Sequence, residues 1–143
     1  MGIQSKGVIE TVKKINIIID ANAILEVIMN EEHRDDVIRL TQNSVLQAPE
    51  CIDFEIGNAL SAMMKRHLID VNEAIDAYHE FAKIPIDRMR VDIADAVRIS
   101  GEHNIYAYDA FYLVLAQKHQ IPLLTYDKRM KAVAAEMEVV CLQ

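Results

Sequence analysis

The segment Ile15-Asn16-Ile17-Ile18-Ile19-Asp20 leaves this chain few folds. It is short, β-branched and nearly unbroken by polar residues, the pattern of a strand buried on both faces. Such strands belong to sheets sheathed by helices, so the rest of the chain must supply crossovers. Helical periodicity follows at Ala21–Met29 and Glu31–Gln42, then a weak strand over Ser44–Ala48 that ends at Pro49. From Glu50 to His67 the apolar positions Ile52, Ile56, Ala59, Leu60 and Met63 keep three-to-four spacing, which predicts an amphipathic helix. Asp70 followed by Glu73 predicts a capping box opening a helix over Asn72–Lys83. Ile84-Pro85-Ile86 reads as a short edge strand because of its proline.

Val91–Ser100 reads as a helix with Gly101 just past its end. A strand over Ile105–Tyr108, an apolar helix over Ala110–His119 and a strand over Leu123–Tyr126 come next. A helix over Lys128–Met137 and a final strand over Val139–Leu142 complete the chain. Alternating strands and helices predict a three-layer α/β/α sandwich around a mainly parallel sheet of about five strands, with right-handed crossovers. One domain over residues 15–143 is expected, preceded by an N-terminal extension at 1–14.

Composition narrows the class. With 52% hydrophobic residues, 4 Gly and 3 Pro in 143, the chain is neither collagen-like nor disordered. Its longest apolar run, Ala110–Ala116, is far below the ~20 residues of a membrane helix, and residues 1–14 lack the apolar stretch of a secretory signal. A soluble, cytoplasmic protein with no membrane partner is expected. Cys51 and Cys141 stand far apart among apolar neighbours and read as small hydrophobes rather than a disulfide. A net charge of −7 argues against broad coating of nucleic acid, and leaves open an enzyme whose acidic cleft is neutralised by cations.

The placement of the acids then becomes decisive. In parallel α/β sheets the functional crevice lies beyond the carboxyl ends of the strands. Asp20 closes the first strand, Asp109 follows the Ile105 strand and Asp127 follows the Leu123 strand. Glu55 lies at the border of the apolar face of the 50–67 helix, a costly place for a carboxylate unless something compensates. Four carboxylates in one cleft repel, and a hard divalent cation with oxygen ligands, Mg²⁺ or Mn²⁺, removes the conflict. Such ions can activate water against a phosphodiester. Taken singly, Asp20, Asp109 and Asp127 each also read as helix N-caps, and Glu55 as a solvated helix residue.

Other chemistries lack their residues. The five histidines form no HxxxH pair, and no GxGxxG, Walker-type or GxSxG segment is present. A phosphoacceptor receiver domain suits the length and charge, but Asp20-Ala21-Asn22 supplies no adjacent acid pair. Local cations near the acids are Lys128 and Arg129, with Arg66 at the end of the Glu55 helix; the arginine there also complements the helix dipole. Tyr106, Tyr108, Tyr112 and Tyr126 cluster near the expected site, where aromatics can stack single-stranded bases or simply pack.

Four blocks carry a resemblance: Ile18-Ile-Asp20-Ala-Asn22-Ala-Ile-Leu25, Pro49-x5-Glu55-Ile-x-Asn58-Ala-Leu60, Tyr108-Asp109-Ala-x-Tyr112-Leu-x-Leu-Ala116 and Leu124-Thr125-Tyr-Asp127-Lys-Arg129. In this order and spacing the chain resembles the PIN domain, nearest to the toxin half of VapBC-type toxin–antitoxin pairs. The resemblance implies a Mg²⁺- or Mn²⁺-dependent endoribonuclease. Asp20 and Asp109 would be the principal metal ligands, Glu55 and Asp127 would complete the site, and Asn22 and Thr125 would support it. It also implies a homodimer and a cognate antitoxin as partner. A PIN-like module that binds without cutting is the alternative.

Overall fold

A computed structural model describes residues 13–143, so all but Lys13 and Lys14 of the 1–14 extension lies outside the described residues. The chain runs β1 (Ile15–Ile19), α1 (Ala21–Ile28), α2 (Arg34–Leu40), β2 (Ser44–Pro49), α3 (Ile52–Lys65), α4 (Val71–Ala82), β3 (Ile86–Met89), α5 (Ile93–His103), α6 (Ala107–His119), β4 (Leu123–Leu124) and α7 (Lys128–Glu136). Four strands form one parallel sheet in the order β3-β2-β1-β4. Ile17, Ile18 and Ile19 of β1 are all buried, so both faces of the central strand are covered, as their unbroken apolar run requires. The larger helix contacts fall into two sets, α1 with α2, α3 and α4, and α6 with α5 and α7, and α6 also lies on β1, β2 and β4. The result is a three-layer α/β/α sandwich. Among the described residues no helix is long and apolar enough to cross a membrane.

The order of the strands fixes where a crevice opens. From β1 the chain steps outward to β2 and β3, then returns to place β4 on the other side of β1. That reversal is a topological switch point, and α1 and α7 follow the strands on either side of it.

Three expected features differ. Ile105–Tyr108 is not a strand: Ile105 ends a turn, Tyr106 precedes the first residue of α6, and Ala107 and Tyr108 are already helical. Among the described residues the short run pairs with no strand, and its tyrosines are exposed. Helix α5 also runs through Gly101 to His103 and ends where Asn104 adopts φ 54°, a left-handed stop that asparagine tolerates. Finally, the fifth strand at Val139–Leu142 shrinks to a single bridge between Cys141 and Leu123. The proline prediction holds in essence, since β3 is an edge strand and Pro85 stands just before it.

Candidate active site

Asp20 and Thr125 occupy equivalent positions on neighbouring strands. Ile19 pairs with Leu124, so the next residue of each chain segment emerges beside the other at the switch point. The Thr125 hydroxyl donates to Asp20 Oδ2 at 2.5 Å and accepts from the Asp127 backbone N–H at 3.1 Å. Asp20 Oδ1 accepts from the Ala23 backbone N–H at 2.8 Å, making Asp20 the N-cap of α1. Asp127 caps α7 in the same way, with Oδ1 accepting from Met130 N–H at 3.0 Å. The expectation that these two aspartates cap helices and the expectation that they share a site are therefore compatible.

Asp109 reaches the site from the first turn of α6, and Glu55 from the first turn of α3. All four acids thus stand at helix starts, where the macrodipole favours an ionised carboxylate. Burial opposes it. Asp20 is only 2% exposed, and burial pushes its carboxyl up to about 6, aided by Asp127 and Asp109 and resisted by its Thr125 and Ala23 hydrogen bonds. Burial also raises Asp109, with the Asp127 charge adding to it. Glu55 is raised chiefly by burial, with Asp109 contributing, against the hydrogen bonds it accepts from Cys51 and Tyr112. Asp109 and Asp127 thus bear on Asp20, Asp127 on Asp109, and Asp109 on Glu55.

Asp20, Glu55 and Asp109 line one pocket of about 470 Å³ together with Asn22, Asn58 and Tyr108. No lysine or arginine is among its described lining residues. Asp127 is not among the lining residues and is tied to Asp20 through Thr125. Of the expected cations, Lys128 and Arg129 open α7 and are exposed, and Arg129 donates to the His103 carbonyl at 2.5 Å. Arg66 caps the far end of α3, about 16 Å along the helix axis from Glu55. Of the four tyrosines only Tyr108 and Tyr112 reach the pocket; Tyr126 instead stacks on His33 with ring centroids 4.0 Å apart.

Two partners of Glu55 carry no role in the sequence reading. The Cys51 thiol and the Tyr112 hydroxyl each donate to Glu55 Oε2 at 3.0 Å, and among the described residues Oε1 accepts nothing. Cys51 lies one helical turn before Glu55, a spacing visible in the sequence; Tyr112 is 57 residues away, and its contact appears only in the fold. Cys51 and Cys141 are both unpaired and half-buried.

The donor set is oxygen-rich and anionic, the chemistry of a hard cation. Among the described residues, however, no three acidic, histidine or cysteine side chains come close enough to enclose an ion by themselves. Asp20, Glu55 and Asp109 are the carboxylates that could share an ion in this pocket, and such an ion would need waters to complete its shell.

A small doubly wound domain with an acidic cluster at the switch point of its sheet is the class that fold and site define. Within that class the chain belongs to the PIN domain family, which it matches over residues 17–136. It is 30% identical over 118 residues to ribonuclease VapC1 of Mycobacterium tuberculosis, covering 80% of this chain and 88% of that one. With ribonuclease VapC3 of Pyrobaculum aerophilum it shares 27% identity over 119 residues, 80% of this chain and 91% of the relative. Its fold is similar to those of VapBC2 from Rickettsia felis bound to a promoter DNA fragment (TM-score 0.61, 12% identity, 90% and 98% of the two chains) and FitAcB from Neisseria gonorrhoeae (TM-score 0.63, 14% identity, 89% and 96%).

Proposed function

We propose that this chain is a Mg²⁺- or Mn²⁺-dependent endoribonuclease and the toxin of a type II toxin–antitoxin pair, acting as a homodimer restrained by a cognate antitoxin. One observation carries the reading: Asp20, Glu55 and Asp109, from elements far apart in sequence, face a single pocket with no basic residue among its described lining. The ribonuclease names of the relatives, which match nearly their full length, agree with it.

A divalent cation, if bound here, would supply the positive charge that lets the carboxylates ionise together and would assist hydrolysis of a phosphodiester by water. Asp20 and Asp109 would be its principal holders, and Glu55 and Asp127 would complete the set directly or through waters. Thr125 keeps Asp20 Oδ2 turned to the switch point while gripping the start of α7. With Oε2 of Glu55 held by two donors, Oε1 is the oxygen available to take a proton from an attacking water. Asn22 lines the pocket and can orient that water. Lys128 and Arg129 contact phosphate on the Asp127 side, and Arg66 serves an RNA long enough to run along α3.

Purified protein should cut single-stranded RNA in Mg²⁺ or Mn²⁺ and fall silent in EDTA. Asp20→Asn or Asp109→Asn should lower the cleavage rate at least about a hundredfold. Full activity in Asp109→Asn removes the proposed site. A chain that binds no divalent ion by calorimetry would instead be a PIN-like module that binds without cutting.

A further inference from the structure

A second pocket, of about 490 Å³, adjoins the carboxylates, and Phe54 lines both. This neighbour lies beyond the ends of β2 and β3, and its lining includes Arg90, Phe111, Ile93 and Glu50. Phe54 is 78% exposed although it sits next to Glu55 in the first turn of α3, a large apolar surface left in water at the brink of a charged pocket. Phe111 packs edge-on against Tyr108, with centroids 5.5 Å apart and planes at 74°. Since Tyr108 lines the carboxylate pocket and is itself 55% exposed, the aromatic pair connects one pocket to the other.

The charge of the two pockets differs in a useful sense. No described lining residue of the carboxylate pocket is basic, whereas Arg90 lines its neighbour. Arg88, two residues earlier, is consumed by a two-bonded pair with Asp53 at 2.7 and 2.8 Å, but the Arg90 guanidinium has no ion pair or hydrogen bond among the described residues, Glu50 included. An exposed aromatic, Phe54, and a half-buried one, Phe111, beside an unpaired guanidinium are what a single-stranded nucleotide requires, with stacking for the base and a charge for its phosphate.

We propose that this second pocket is a nucleotide subsite, which seats the base next to the cleaved linkage against Phe54 and Phe111 and its phosphate on Arg90. The proposal rests on the nuclease reading for its substrate, and places the strand across the Phe54 ridge. An acidic chain thereby holds RNA beside, rather than within, its anionic pocket.

The test is binding of a short, labelled 2′-O-methyl oligonucleotide, followed by fluorescence anisotropy in Mg²⁺, with the oligonucleotide checked to be intact at the end of each titration. Phe54→Ala should weaken binding about tenfold, and an oligonucleotide with abasic sites should lose that sensitivity. Arg90→Gln should weaken it severalfold and reduce the slope of log affinity against log salt by about one. Wild-type affinity in both variants overturns the subsite. So does sedimentation showing that Phe54→Ala converts a dimer to monomers while oligonucleotide affinity stays the same, for then a second copy of the chain covers this face. Cleavage of ordinary RNA is scored separately: a wild-type protein that binds through Phe54 and Arg90 yet never cuts preserves the subsite and removes the nuclease reading.

Discussion

At the scale of single residues, the site depends on hydrogen bonds that fix carboxylates already disfavoured by burial. Tyr112 is the clearest case: a buried hydroxyl whose partner is Glu55 Oε2, and whose own ionisation is pushed far up by burial and by the Glu55 and Asp20 charges. It therefore acts as a fixed donor and not as an acid or base. Tyr112→Phe keeps the ring packing, frees Glu55 to rotate, and should lower the cleavage rate about tenfold while changing the melting temperature little; an unchanged rate would show that Cys51 alone holds Glu55. Burial and the Glu55 carboxylate push the Cys51 thiol up to about 12, so it should resist iodoacetamide at pH 8, whereas Glu55→Gln should speed its labelling, as followed by mass spectrometry. Asp20 and Asp127 were legible in the sequence because capping is local: each precedes a helix, and each does cap it. The clamp on Glu55 was half legible, with Cys51 one turn away in sequence and Tyr112 brought in only by packing.

Among the elements, legibility followed the length of the pattern. The long periodic helices α3 and α4 appear close to their expected bounds, and the Asp70–Glu73 capping box forms with bonds of 2.8 and 3.0 Å. Asp70→Ala should cost about 1 kcal/mol, a drop of about 3 °C in calorimetry, with RNA cleavage unaffected because α4 contributes nothing to the carboxylate pocket. The run at Ile105–Tyr108 misled because its three residues of β-forming type, Ile105, Tyr106 and Tyr108, do not make a strand without a neighbour to bond, and the chain instead enters α6 at Ala107. That change moves Asp109 from the end of a strand into the first turn of a helix, yet it still faces Asp20, since α6 lies across β1 and β4. Helix starts and strand ends meet on the same side of a parallel sheet, so the start of α6 brings Asp109 to the pocket as a strand end would.

For the molecule as a whole, crowding of like charges sets a stability balance that pH and cations can shift. An unfolded Asp20 ionises near its ordinary 3.8, and the folded one near 6. The protonated form is thus favoured by folding, its contribution is complete below pH 4, and it is lost as pH rises to 6, a change of about 3 kcal/mol. Glu55 and Asp109, also raised, act in the same direction, while Asp53, lowered by Arg88, acts oppositely. Stripped of cations, the protein should melt at a lower temperature at pH 7 than at pH 5, and millimolar Mg²⁺ at pH 7 should recover the difference. A cation-free melting temperature that climbs between pH 4 and 6 would contradict this assignment.

The bond from Thr125 to Asp20 spans 105 positions of the chain. A polypeptide emerging residue by residue has made Asp20, Glu55 and Asp109 long before it makes the threonine that locks the first of them and the aspartate that follows. Maturation of the cleft is therefore deferred to the closing stretch of synthesis, when β4 slides in beside β1. Shortening the chain ahead of Leu123 removes Thr125 and Asp127 and should leave Asp20, Glu55 and Asp109 present but unassembled.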